Sequence, residues 1–381
     1  MSRGEGMVAG RLVLDDRVVA GRLVIESDRI AAVELESQAT AAPYVAPGFV
    51  DVHVHGSGGY DAMAGPGDLD GMARYLLRHG VTSFLPTAIT APLAALRDFA
   101  EQVRGWRPVA SAEGAEPLGF NLEGPFLSPK RKGAQNPAHL RLPDGTAWDE
   151  LAPLLDGLRL TTVAPELPGA LDLIRRLVGA GVMVSLGHSD ATAEQAAAGY
   201  AAGALSTTHL FNAMSPVDQH APGLAVAALT HDGAYTELIV DGNHVDRSLW
   251  PLIRRCKPAN RLVLVSDAIR LAGAGDGRIE LGGLEVEVRG DRATLAGTTR
   301  LAGSVISLDL AVHNLVAAGW ELPRAVAAAG QNPLSLLGIH DRGRLAPGQR
   351  ADLVLLDQDL QVLRVMRAGR WADQPVRAGY R

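Results

Sequence analysis

Pro47-Gly48-Phe49-Val50-Asp51-Val52-His53-Val54-His55-Gly56 is the stretch on which the reading of the chain turns. In an extended strand successive side chains face opposite sides, so Asp51, His53 and His55 share one face and Val50, Val52 and Val54 the other. The valines suit packing beneath helices. Two imidazoles projecting inward at the C-terminal end of one strand suit metal chelation. Both properties belong to the opening strand of a closed parallel barrel, where chemistry gathers at the C-terminal rim. The rival is a doubly wound open sheet, whose first strand would run into a glycine-rich dinucleotide fingerprint; this chain has His53-Val54-His55 there.

Working outward, the same pattern recurs. Strands are expected at Phe49–His55, Val81–Thr87, Leu118–Gly124, Leu158–Glu166, Val182–His188, Ser206–Phe211, Tyr235–Asp241 and Leu262–Asp267. Helical segments alternate with them, among them Leu69–His79, Pro92–Arg104, Ala170–Gly179, Thr192–Ala202, Arg247–Cys256 and Ser304–Ala318. Eightfold strand-helix alternation reads as an α/β chain folded as a (β/α)8 TIM barrel. The two ends differ: Arg11–Leu14, Arg22–Ile25, Ala31–Leu35 and Leu353–Asp357 are short strands with Gly and Asp turns. They are expected to pair as a small β-sandwich domain. The division is then 1–46 and 343–381 for the sandwich and 47–342 for the barrel, with a β-hairpin insertion at 278–295 that joins the sandwich or acts as a lid.

The 381 residues suit one barrel plus a small domain, and 47% hydrophobic against 20% charged residues supports a large core. A net charge of −6 and a pI near 6.0, with no basic run interleaved with aromatics, argue against nucleic-acid or anionic-membrane partners. The single cysteine, Cys256, cannot form an internal disulfide and fits a reducing compartment. Met1–Gly10 lacks an apolar signal core and no run of 18 apolar residues occurs, so the expectation is a soluble cytoplasmic protein.

Each further group with metal or acid–base chemistry ends a different strand. Glu123 ends the third, His188 the fifth, His209 the sixth and Asp267 the eighth, while His244 follows the seventh. Their convergence on one rim points to a metal-dependent site. Neutral imidazole nitrogen and carboxylate oxygen suit zinc or ferrous iron. Asp51 shares the inward face at a deeper level, which suits orienting a histidine rather than binding metal. His79, His139, His231, His313 and His340 fall on helices or loops and read as surface or capping residues.

Leu122-Glu123-Gly124-Pro125-Phe126, Gly187-His188-Ser189, Thr208-His209-Leu210-Phe211-Asn212-Ala213-Met214, Pro222-Gly223-Leu224, Asp241-Gly242-Asn243-His244 and Ser266-Asp267-Ala268 together resemble one family, the N-acetylglucosamine-6-phosphate deacetylases of the amidohydrolase superfamily. The similarity runs through nearly the whole chain. It implies deacetylation of N-acetylglucosamine 6-phosphate to glucosamine 6-phosphate and acetate, in amino sugar catabolism or cell-wall recycling. It implies a main metal on Glu123, His188 and His209 and a second on His53 and His55, hence one or two divalent ions, Zn or Fe, per subunit. Asp267 would be the catalytic acid/base. His244 would serve catalysis and, with the Asn212-Ala213 backbone, grip the substrate. A homodimer is implied too. In many amidohydrolases a carboxylated lysine on the fourth strand bridges two ions; the only lysines here are Lys130, Lys132 and Lys257, so Glu123 is the available bridge.

Two departures stand out. The loop usually ending in histidine ends here in Gln135, which can hydrogen-bond an oxyanion but carries no charge. The arginine usually placed before Pro-Gly-Leu to bind the sugar phosphate is His220, which lacks arginine's bidentate fork. Arg131 and Lys132 can compensate, or the substrate is N-acetylgalactosamine 6-phosphate or another small N-acetyl compound. A nucleobase deaminase on this scaffold would want a glutamate just after the fifth strand, where Ser189-Asp190 stands. A non-catalytic sugar-binding protein would need neither Asp267 nor the metal set.

Overall fold

The computed structural model describes residues 6–36, 43–144 and 147–373. Phe49–Val54, Val81–Ile89, Phe120–Glu123, Leu158–Val163, Met183–Leu186, Ser206–Thr207, Tyr235–Leu238 and Leu262–Leu264 follow one another as the parallel strands of the barrel. The second expected strand, ending at Thr87, runs on to Ile89, while the other seven expected strands overran at their C-terminal ends. The reason is local: His188, His209 and Asp267 adopt φ of 45°, 26° and 49°, which takes them out of the ladder and into the rim.

The barrel closes between its last and first strands. Asp267 N donates to His53 O (2.9 Å) and His55 N to Ala268 O (2.9 Å). Deeper in this seam the Asp51 carboxylate accepts from Ser266 Oγ at 2.5 Å and from His53 N at 3.2 Å. Asp51 therefore fixes the backbone of the histidine strand, and burial pushes its carboxyl up to about 6 against those hydrogen bonds.

Val50, Val52 and Val54 are no more than 1% exposed, as expected of the helix-covered face. Ala170–Gly179 buries Ala170, Leu173, Ile174 and Leu177, the i, i+3, i+4, i+7 spacing of a single apolar stripe. Ala193–Ala201 begins at a capping box in which Thr192 and Gln195 satisfy one another's backbone N–H.

The two chain ends do meet. Arg370–Trp371, Val362–Arg367, Leu353–Leu356, Tyr44–Pro47, Gly6–Val13, Val18–Glu26 and Arg29–Leu35 form, in that order, one continuous seven-stranded sheet. Val8, Leu12, Leu23, Ile25, Leu353 and Met366 give it a core of its own. Charges tie it to the barrel: Glu116 Oε2 lies 2.7 Å from Arg342 Nη1 and 2.5 Å from Arg350 Nη1.

The insertion gains a strand over the expected hairpin. Gly277–Leu281, Leu284–Arg289 and Arg292–Leu295 form an antiparallel meander separate from the terminal sheet. Its Leu281, Val286 and Val288 pack on Ile89, Ile269 and Ala302, seating it over the barrel rim.

Candidate active site

Glu123 Oε1 lies 2.9 Å from His188 Nε2 and 2.9 Å from His209 Nε2, and those two nitrogens are 3.1 Å apart. On the other side of the carboxylate, Oε2 lies 3.2 Å from His55 Nε2, and Oε1 is 3.6 Å from His53 Nε2. Two candidate metal groups result, Glu123–His188–His209 and His53–His55–Glu123, with Glu123 common to both. Asp267 Oδ1 faces the second pair, 3.2 Å from His55 Nε2 and 3.5 Å from His53 Nε2.

The surroundings turn these nitrogens inward. His53 Nδ1 lies 3.1 Å from Glu237 Oε2, His55 Nδ1 3.1 Å from Thr87 O and His188 Nδ1 2.9 Å from Arg131 O. An Nδ1–H given to these acceptors leaves an Nε2 lone pair pointing at Glu123, the arrangement that suits a ligating histidine. Lone pairs of His188 and His209 that meet at 3.1 Å repel unless a cation sits between them. His53 Nε2 is buried without a hydrogen-bond partner. Donor set, convergence and orphaned nitrogen all fit a divalent metal.

The charges agree. Burial alone would raise the carboxyl of Glu123, but the charges of His188 and His53 with the His188 and His209 hydrogen bonds hold it well below the usual range. Asp267 is also lowered, because His53 and the His55 hydrogen bond outweigh its burial. Burial works against His55, yet its contacts with Asp267 and Glu123 push it up to about 9. The pocket demands positive charge and keeps Asp267 as a carboxylate, ready to take a proton.

Above these groups lies a cavity of about 570 Å³. Lys130, Arg131, Lys132 and Arg300 stand on its wall, a strongly cationic rim in an acidic protein. Lys130 and Arg131 both reach Asp190, at 3.2 and 2.8 Å. That use of Asp190 removes it from the inner site, where a deaminase would need its shuttle. His244 also lines the cavity, its Nδ1 2.7 Å from Asp241 Oδ2.

Gln135 is 2% exposed and its amide is fixed at both ends: Oε1 accepts from Thr90 N at 2.9 Å, and Nε2 donates to Glu123 Oε2 at 2.5 Å. It therefore steadies the shared ligand and retains one N–H for the cavity it lines. Asn212 and Ala213 line the cavity as expected. They belong to a strained turn in which His209, Phe211 and Ala213 all have positive φ, at about 1–3 kcal/mol for each such non-glycine residue. His220 does not join them. It is exposed, on a loop held by Asp218 accepting from its N–H at 2.7 Å, and it is not among the residues lining the cavity.

Glu237 was missed. It lies in the seventh strand, fully buried, and holds both the His53 ring and the His209 N–H (3.3 Å). A carboxylate in the middle of the strand Tyr235-Thr236-Glu237-Leu238 was the available signal. The imidazole-orienting role expected of Asp51 belongs to Glu237.

From residue 44 to residue 372 the chain matches the model of the Amidohydrolase family. It belongs to that family. This amidohydrolase is 38% identical to the human N-acetylglucosamine-6-phosphate deacetylase over 374 residues, 93% of this chain and 90% of the human one. It is 38% identical over 370 residues to the N-acetylgalactosamine-6-phosphate deacetylase of Escherichia coli O157:H7, covering 94% and 95% of the two chains. Among solved structures it is similar to a mutant Mycobacterium smegmatis N-acetyl-D-glucosamine-6-phosphate deacetylase in complex with N-acetyl-D-glucosamine-6-phosphate. That likeness has a TM-score of 0.88 and 37% identity over 97% of this chain and 99% of the other. With such relatives over almost its full length, the amidohydrolase belongs with the N-acetylglucosamine-6-phosphate deacetylases.

Proposed function

We propose that this amidohydrolase hydrolyses the acetamide of N-acetyl-D-glucosamine 6-phosphate to D-glucosamine 6-phosphate and acetate, in amino sugar catabolism. The observation that carries it is Asp267, an ionised carboxylate 3.2 Å from His55 Nε2 on the floor of a cavity whose rim is cationic. A floor that takes metal and moves protons beneath a rim that attracts an anion suits an amide substrate bearing a phosphate.

Glu123, His188 and His209 would hold the main ion, and His53 and His55 with Glu123 a second. When bound, a divalent ion supplies an acidic water and polarises the amide carbonyl. Asp267 takes the proton from the attacking water and passes it to the departing amine, whose nitrogen is a poor leaving group until protonated. The remaining Gln135 N–H faces the developing oxyanion. His244, with Nδ1 tied to Asp241, offers Nε2 to a sugar hydroxyl, and the Asn212-Ala213 turn borders the same sugar. Zinc or ferrous iron fits the nitrogen and oxygen donors, and the shared Glu123 supports two ions.

A homodimer in the cytoplasm is the further expectation of this reading. Val217, 56% exposed on the His220 loop, is the apolar contact such a pairing would cover. In that assembly His220 would act from the subunit edge rather than from within its own cavity.

Acetate release by the metal-replete protein from N-acetylglucosamine 6-phosphate, its galacto epimer and the unphosphorylated sugar tests the reading. Fast, phosphate-dependent release from the gluco substrate is expected. Preference for the galacto epimer would move the assignment to the second activity represented among the relatives. Indifference to phosphate would overturn the amino sugar phosphate.

A further inference from the structure

The cavity above the metal ligands does not end at its apolar wall. Behind that wall lies a second cavity of about 400 Å³, bordered by Asp61, Met63, His139 and Arg270 among others. Two residues line both spaces, Ile89 and Leu281, at 4% and 5% exposure.

Ile89 closes the second barrel strand and pairs directly with Glu123 across the parallel ladder. Paired residues of neighbouring strands project to the same face, so Ile89 stands beside the shared metal ligand. Leu281 comes from the meander, at the turn Leu281-Gly282-Gly283-Leu284. That turn is pressed onto the wall: a Cβ on Gly282 would lie 3.2 Å from Ile89 Cγ2, and Gly282 O accepts from Asn136 Nδ2 at 3.1 Å. Ala134, the neighbour of Gln135, packs on the same apolar cluster and lines the first cavity.

An amide carbon held among Glu123, His188, His209 and Asp267 carries two substituents. The nitrogen leads to the sugar, which the cationic rim draws toward the mouth. The acyl chain therefore points the other way, and the apolar surface beside Glu123 is Ile89, Leu281 and Ala134. We infer that Ile89 and Leu281 form a partition that seats the acyl methyl and limits the acyl group to acetyl, with the second cavity as the space that longer chains would enter if the partition were cut back. The reaction is unchanged: water oxygen bonds to the acyl carbon, the C–N bond breaks and the amine leaves with a proton. The inference rests on the deacetylase reading for the amide, and on the geometry alone for the partition.

The test compares kcat/KM for N-formyl, N-acetyl, N-propionyl and N-butyryl glucosamine 6-phosphate in wild type, Ile89→Ala, Leu281→Ala and Ile89→Phe. The alanine variants raise the butyryl-to-acetyl ratio at least tenfold, the scale of one or two methylenes in an apolar pocket. Ile89→Phe moves the preference the opposite way, toward formyl. Unchanged ratios in folded, metal-replete variants overturn the partition, as does a shift in the same direction for alanine and phenylalanine. Leu281→Val serves if the alanine variants do not fold. Calorimetric binding of acetate, propionate and butyrate runs alongside and needs no turnover. Wild type inert toward every amide would sink the deacetylase reading, while chain-length selectivity of carboxylate binding, widened by Ile89→Ala, would still uphold the partition and its absence would end it.

Discussion

At the floor of the cavity Glu123, His188 and His209 are no more than 4% exposed, and each is gripped by a further polar group: Gln135 on the Glu123 carboxylate, Arg131 O on the His188 ring and Glu237 on the His209 N–H. At the mouth, Lys130 and Arg300 are exposed, and the Arg300 guanidinium reaches Gly133 O across 3.5 Å. The floor is built on strand ends that the closed sheet positions, the mouth on loops that no ladder holds. Burial makes each polar group at the floor depend on its neighbours, because an unpaired group there costs about 1–3 kcal/mol. Solvent screens the mouth, so its residues act nearly independently. The difference separates chemistry, which the scaffold dictates, from recognition, which loops can alter without disturbing the barrel.

The sharpest challenge to this contrast is Asp267→Asn. Loss of the proton carrier lowers kcat roughly a hundred- to ten-thousandfold, with metal content by elemental analysis unchanged. Normal turnover would remove Asp267 from the mechanism. Next in size is Gln135→Ala, which frees one end of the shared carboxylate. Metal affinity falls about 10–100-fold, read by competition with a chelator, and the ion on His53 and His55 is lost first because it uses Oε2. Retention of both ions at wild-type affinity would show that the floor does not need the clamp.

At the mouth, Lys132→Ala or Arg300→Ala raises KM for the phosphorylated substrate about two- to fivefold, since exposed ion pairs contribute ~0.2–1 kcal/mol. kcat stays the same and the effect shrinks in salt. Equal loss of kcat would put these residues with the floor. The smallest effect lies in the joint between barrel and terminal sheet. Burial would raise Glu116, but Arg350 and Arg342 hold it below the ordinary 4.5. A carboxyl depressed in the folded state stabilises above its unfolded value and gives that up as pH falls through the folded one. Thermal midpoints therefore decline below about pH 4.5, and Glu116→Gln makes that decline shallower. An identical acid profile in the variant would detach Glu116 from acid stability.

The sequence legible at the floor and opaque at the mouth follows the same division. His53, His55, Glu123, His188, His209 and Asp267 could be read because each ends an apolar strand, and strand ends in a barrel converge whatever the loops do. Helix Ala170–Gly179 could be read to the residue because its stripe is periodic. Glu237 was hidden because a strand carboxylate ordinarily signals a solvent-facing position. Gln135 reads from the sequence as facing the substrate, and only the fold brings its amide between Thr90 N and Glu123 Oε2. His220 and the seat of residues 277–295 depend on loop paths, which carry no period. Residues 374–381, part of the expected 343–381 segment, lie outside the described residues.

The seam between Asp267 and His53 also sets a timetable. Residue 53 leaves the ribosome more than two hundred positions before residue 267, yet Asp267 N bonds to His53 O and Asp51 waits for Ser266. Until residues 266 and 267 are made, the strand that carries His53 and His55 lacks the partners that close this seam. A chain stalled before Asp267 would be an incomplete chelator rather than a slow enzyme. A complete site requires the last barrel strand beside the first, so activity itself certifies that translation has gone past that last strand.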